Sequence, residues 1–285
     1  MRSRTAEAAV TISWMKLAHR EWSPARGADA PAALLLHGIT GSSGTWWRVG
    51  PALADAGWRV IALDLPGHGE SPRMGRPMKA GEWAESVRGT VRELVGDEPL
   101  DLAIGHSAGA ATLLEVVAVG PGVARRVVLE DPPGVGDVSR PDWAAHLERE
   151  VVAARRDPDR FRWLLLRENP TWEPQDAAEA VAALVACEIQ VIAEMERRGM
   201  GYRVSQLVLT VELPALLLLA DEDRSALTGD ARQAVLNRLP ATITARSFAT
   251  GHVIHRDAYE DYLRTVTEWA GRNPPPAYIS PGDDR

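Results

Sequence analysis

Short apolar runs such as Ala33-Leu34-Leu35-Leu36, Val60-Ile61-Ala62-Leu63 and Leu216-Leu217-Leu218-Leu219 alternate with longer amphipathic stretches. Runs with no polar face, separated by segments of helical period, are the pattern of a mostly parallel sheet covered by helices on both faces. The fold class expected is α/β. Strands are predicted near 9–14, 17–22, 32–37, 58–63, 100–105, 125–130, 214–220 and 243–248, eight in all, the first two forming an antiparallel edge. Helices are predicted near 44–56, 79–95, 107–119, 227–238 and 255–271.

The alternation stops between Asp131 and Pro214. Trp143, Leu147 and Val151 stripe one helical face there, and Val181, Leu184, Ile189 and Ile192 a second. An insertion after the sixth main strand lies over the carboxyl ends of the sheet, where open α/β folds place their ligands. The expected organisation is a core of 1–134 and 211–272, a helical cap of 135–210 inserted after strand 6, and a flexible, proline-rich tail of 273–285.

The chain has 285 residues, 45% of them hydrophobic, enough for a sizeable core. A net charge of -7 without a basic run argues against a nucleic-acid groove or a polybasic membrane patch. A single cysteine, Cys187, cannot close an internal disulfide and reads as a core residue. The first residues carry no apolar segment of signal-peptide type, and no stretch approaches the ~20 apolar residues of a membrane span. A cytoplasmic protein with a small-molecule partner and no cofactor is expected.

Candidate chemistry centres on Gly105-His106-Ser107-Ala108-Gly109, between the apolar run 100–104 and a small-residue helix. A serine presented from a sharp strand-to-helix turn needs small residues two positions to either side. Its hydroxyl needs a general base, and His252, in Gly251-His252 after the last strand, is preferred over His255, which sits at the helix start. The base needs a carboxylate at the end of another strand. Asp223 is the expected acid, with Asp221 and then Asp131 as alternatives. The backbone N–H groups of Ala108 and Ile39 are the candidate oxyanion donors.

Four pieces in order, Leu36-His37-Gly38, Asp64 through Ser71, Gly105 through Gly109, and Gly251-His252, resemble the α/β-hydrolase superfamily in its serine-nucleophile branch with a helical cap. The resemblance implies Ser107 as nucleophile, His252 as base, an acid after the seventh strand and Ile39 as second oxyanion donor. It also implies that the Asp64–Ser71 loop is a structural turn. Where the family often has Gly-x-x-Asp, this chain has Ala220-Asp221-Glu222-Asp223, which leaves Asp221 open.

A serine at the turn argues against the epoxide hydrolases and haloalkane dehalogenases of this architecture, which use aspartate. Acyl transfer remains. The expected activity is hydrolysis of a carboxylic ester or lactone with a small to medium apolar acyl group, Trp143, Trp163 and Trp172 being candidates for the pocket wall. A carbon–carbon bond hydrolase, a cofactor-free perhydrolase and a non-catalytic binding protein of the same fold are the alternatives.

Overall fold

A computed structural model describes residues 14–25, 27, 30–78, 81–119, 122–134, 142–198 and 200–274. Seven strands form one sheet: β1 (His19–Trp22), β2 (Ala32–Leu36), β3 (Arg59–Leu63), β4 (Leu102–His106), β5 (Val127–Glu130), β6 (Ala215–Leu219) and β7 (Ile243–Ser247), in the order β1-β3-β2-β4-β5-β6-β7. All neighbours are parallel except β1, which runs antiparallel to β3 with His19 opposite Leu63. The antiparallel edge is therefore present, but its partner is β3. Of the expected strand at 9–14, all but Trp14 lies outside the described residues, and Trp14 itself is not in a strand.

Apolar residues on opposite faces of the sheet feed two cores. Leu34, Leu36, Ile61, Leu63, Leu129 and Leu217 belong to one, with α2 (Glu82–Val95) and α3 (Ala108–Val119) packed on it. Leu35, Val60, Ile104, Val128 and Leu216 belong to the other, covered by α1 (Val49–Asp55) and α11 (Tyr259–Arg272). The alternation along each strand is the period-2 pleat read out on both faces. At the sheet's amino end Arg126 is buried and pins α11: it donates to Asp101 Oδ2 at 2.6 Å, to the Asn273 carbonyl at 2.8 Å and to the Ala270 carbonyl.

The insertion is helical as expected: α4 (Trp143–Arg156), α5 (Pro158–Glu168), α6 (Pro174–Ala186), α7 (Gln190–Arg198) and α8 (Met200–Leu207) follow one another. The second predicted stripe is broken, since α6 ends before Cys187 and Ile189 falls between helices. The chain returns to the core through β6, then α9 (Gly229–Leu236), β7 and the short α10 (Ile254–Asp257). The insertion is fastened to loops at the carboxyl end of the sheet. Trp47 donates to Asp176 Oδ1 at 2.9 Å, Trp172 to Asp257 Oδ1 at 2.7 Å, and Glu188 N to the Gly67 carbonyl at 2.8 Å.

Candidate active site

Ser107 follows β4 directly, with φ of +50°, and α3 begins at the next residue. A left-handed backbone at a residue with a side chain is a strained conformation that the surroundings must hold. Here the strand ladder holds it: Ser107 N donates to the Glu130 carbonyl at 2.9 Å, and the Ser107 carbonyl accepts from Ala111 N at 3.0 Å. The glycines on either side are steric requirements. A Cβ on Gly105 would come 2.6 Å from Ala110 N, and one on Gly109 would run into the Leu36 and His37 carbonyls.

Asp131 repeats the device one strand over, with φ of +41° immediately after β5. Its carboxylate is fully buried and accepts four hydrogen bonds. Oδ1 receives Ala220 N at 3.0 Å and Ser225 Oγ at 2.6 Å; Oδ2 receives Ala226 N at 2.8 Å and His252 Nδ1 at 2.5 Å. Burial works to raise its pKa, but the His252 bond and charge, with Ser225 and Ala220, outweigh it and hold the carboxyl below the ordinary aspartate value. A charged Asp131 can only accept, so Nδ1 of His252 carries the hydrogen.

The carboxylate set against His252 is thus that of Asp131, not the expected Asp223 or Asp221. Asp223 is exposed on the loop after β6, and Asp221 pairs at the surface with Arg224 at 2.7 Å. That loop does reach the site, but with its backbone and Ser225, which bind the carboxylate of Asp131. The tight turn after β5 directs the aspartate inward, and nothing in the local run Leu129-Glu130-Asp131 distinguishes it from a strand-end acid facing solvent.

The loop after β2 forms the opposite wall. Gly41 N donates to the Gly38 carbonyl at 3.0 Å, Thr40 has φ of +62°, and His37 Nδ1 lies 2.7 Å from the Gly38 carbonyl while Nε2 accepts from Leu65 N at 2.9 Å. Gly38 sits against the turn at Ser107, for a Cβ there would be 3.3 Å from Ser107 Cβ and 2.7 Å from His106 Nδ1. Ile39 follows it, half-buried. Ala108 opens α3, where backbone N–H groups are not consumed by the helix and the dipole favours an anion.

The Asp64–Ser71 loop is a self-bonded turn: Asp64 accepts from Ser43 N at 2.5 Å and Glu70 N at 2.9 Å, and Ser71 Oγ donates to the Asp64 carbonyl at 2.6 Å. The three tryptophans separate. Trp163 is 58% exposed and carries Arg167 against its ring; Trp143 packs on the core; Trp172 lies under Arg256 at 4.7 Å and reaches Asp257 in α10. His255, the rival base, is buried, bonded to Glu130 and stacked on Trp46. Ser225, Glu130 and His106, which the structure brings beside these residues, were not singled out by the sequence, for their spacing carries no signal of its own.

Among the described residues no cluster of histidine, cysteine and acid side chains is suited to a metal, and no helix is long and apolar enough to cross a membrane.

Residues 31–255 match the family model described as alpha/beta hydrolase fold. The chain is 33% identical over 114 residues to the dihydrolipoyllysine-residue acetyltransferase component of the acetoin cleaving system of Cupriavidus necator, covering 39% of this chain and 29% of that protein. It is 41% identical over 80 residues to the putative protein-lysine deacylase ABHD14B of Homo sapiens, covering 27% and 38%. It thus spans well under half the length of these curated relatives. A pyrrolizixenacetamide deacetylase of Xenorhabdus hominickii matches at 24% identity over 242 residues, 82% of this chain and 88% of that one. Among solved structures, the N-formylmaleamic acid deformylase of Pseudomonas putida S16 superposes with a TM-score of 0.71 at 20% identity, covering 87% and 94%, and shares the fold. With a family match over most of its length and the sheet order above, the chain belongs to the alpha/beta hydrolase fold family, with esterases and deacylases among its relatives.

Proposed function

We propose that this chain is a serine hydrolase that cleaves a carboxylic ester through an acyl-Ser107 intermediate. The observation that carries the reading is the bond from His252 Nδ1 to buried Asp131, formed beside a serine held at φ of +50° on the adjacent strand. With Nδ1 engaged, Nε2 is the nitrogen that exchanges the proton. As Ser107 Oγ bonds to the acyl carbon, its proton passes to His252 Nε2, and Asp131 stabilises the imidazolium. The oxyanion is met by the N–H groups of Ala108 and Ile39. Collapse breaks the acyl–oxygen bond, and the departing alkoxide takes the proton from His252. Water then attacks the acyl-enzyme by the same proton route, releasing the acid and restoring Ser107.

A second reading, hydrolysis of an N-acyl bond, is favoured by the names of the relatives that match over most of their length, a deacetylase and a deformylase. The same triad serves it, since the leaving amine takes the proton that the alkoxide would.

The deciding experiment is a panel of short p-nitrophenyl esters, lactones, N-acetyl amides and vinylogous diketones, assayed with wild type and Ser107→Ala. Ester turnover that disappears in Ser107→Ala is expected. Undiminished turnover in that variant overturns the nucleophile, and preference for amide or diketone reassigns the scissile bond.

A further inference from the structure

Next to the Asp131–His252 pair lies a second acid–histidine pair that the mechanism above does not use. Glu130 has no exposed surface and His255 is 4% exposed. His255 donates from its backbone N to Glu130 Oε1 at 2.9 Å, its Nδ1 lies 2.9 Å from both carboxylate oxygens, and Trp46 stacks on its ring at 4.4 Å. The edge of this pair meets His106, with ring centroids 5.3 Å apart in a T-shaped arrangement.

His106 in turn touches the loop after β2, the loop after β7 and α10. Its backbone precedes Ser107, its Nδ1 faces Gly38 of the loop after β2, and its Nε2 lies 3.0 Å from the main-chain carbonyl of His252. The His106 and His252 rings sit 4.7 Å apart. A carbonyl can only accept, so Nε2 of His106 carries the hydrogen. Between β7 and α10 the chain is tied to the end of β6 only as far as Thr250, through Phe248 N to the Leu219 carbonyl at 2.8 Å and Asp221 N to the Thr250 carbonyl at 3.1 Å; beyond it, Gly251 N is held by Asp257 Oδ2 at 2.7 Å and the His252 carbonyl by His106. An aromatic filler would need no such donor.

We propose that His106 is a positioning residue: by donating to the His252 carbonyl, and being itself wedged by the Glu130–His255 pair, it holds the His252 imidazole between Asp131 and Ser107. This rests on the triad reading above. Burial keeps His106 neutral, so a neutral amide of similar reach can replace it. The charged or titratable groups facing it are Glu130 from β5, His252 from the loop after β7 and His255 from α10.

The test uses the full chain with a p-nitrophenyl ester and four variants, His106→Phe, His106→Asn, His106→Gln and Ser107→Ala, with thermal unfolding recorded for each. Phenylalanine lacks the donor and asparagine lacks the reach, so whichever of the two folds suffices. The expected result is a kcat roughly 10–100-fold down with KM within about twofold, the size of effect that a misaligned base produces. The acid limb of kcat/KM should also move to lower pH, because a His252 less firmly set against Asp131 loses its proton more readily. His106→Gln should recover most of the rate. A folded Phe or Asn variant with wild-type kcat and an unmoved acid limb, alongside inactive Ser107→Ala, removes the role from His106 and leaves the triad standing. An active Ser107→Ala brings down both.

Discussion

Ser107 N donates to the carbonyl of Glu130, and the next residue, Asp131, accepts from His252: the proposed nucleophile and the proposed acid are joined through a single rung of the ladder between β4 and β5. Both stand at left-handed backbone positions at the ends of neighbouring strands.

Removing the nucleophile tests the first of these positions. Ser107→Ala is expected to lower kcat on a short activated ester by on the order of 10^4-fold or more, with residual turnover from the oxyanion donors and binding. Labelling of wild type, but not of this variant, by a fluorophosphonate is the second readout.

The acid is tested by contrast. Asp131→Asn keeps the shape but removes the charge that stabilises the imidazolium, and a fall in kcat on the order of 10^4-fold is expected. Asp223→Asn and Asp221→Asn, both at the surface, should keep kcat within about twofold of wild type. Equal losses in Asp131→Asn and Asp223→Asn would count against the assignment.

Acid lability follows from buried neutral imidazoles. Burial lowers His68 and His106 to about 3 and His255 well below 6.5. For a group depressed in the fold, the unfolded chain takes up the proton first. Stability from these three is therefore complete above pH 6.5 and is lost as pH falls from there toward about 3. His68 and His106 each contribute on the order of 1 kcal/mol of that loss by pH 5.5, and His255 adds to it in the same direction. Glu130, raised by burial, acts in the opposite sense, costing stability above the ordinary glutamate range and returning some of it on acidification. A net loss on the order of 2 kcal/mol should lower Tm by several degrees between pH 7 and pH 5.5, at about 2–4 °C per kcal/mol. A flat Tm across that range contradicts the neutral-histidine picture.

Far from the chemistry, Arg126→Met should destabilise by about 3–5 kcal/mol, because it leaves Asp101 buried with only Trp58 Nε1 at 2.6 Å as a side-chain donor to Oδ2. Denaturant unfolding measures this, and ester turnover at low temperature should be unaffected.

The sheet was legible because buried parallel strands are written as apolar runs, and β2 through β7 fall within a residue or two of where Leu34, Ile61, Ile104, Val128, Leu217 and Ile243 lead. Ser107 and His252 were legible as candidates because glycines flank them where a Cβ would collide, at Gly105 and Gly109 with neighbouring backbone and at Gly251 with Asp257 Oδ2. Asp131 was only a third choice because its selection is made by a dihedral angle and by three donors from residues 220–226, about ninety positions away in the chain. Such a cradle has no local period or composition. The exposure of Trp163 was not legible for a related reason: an amphipathic helix does not say which of its large side chains is left in water.

The positions of Ser107 and Asp131 make the sheet a ruler. Adjacent strands are about 4.8 Å apart in any sheet, so the proposed nucleophile and acid are set by a spacing that side-chain changes elsewhere do not alter. Only His252 is carried on a loop, tied by Asp131, His106 and Asp257. Heat is therefore expected to act on that loop first, and loss of ester turnover at a temperature where circular dichroism still shows the sheet intact is the outcome that would reveal it.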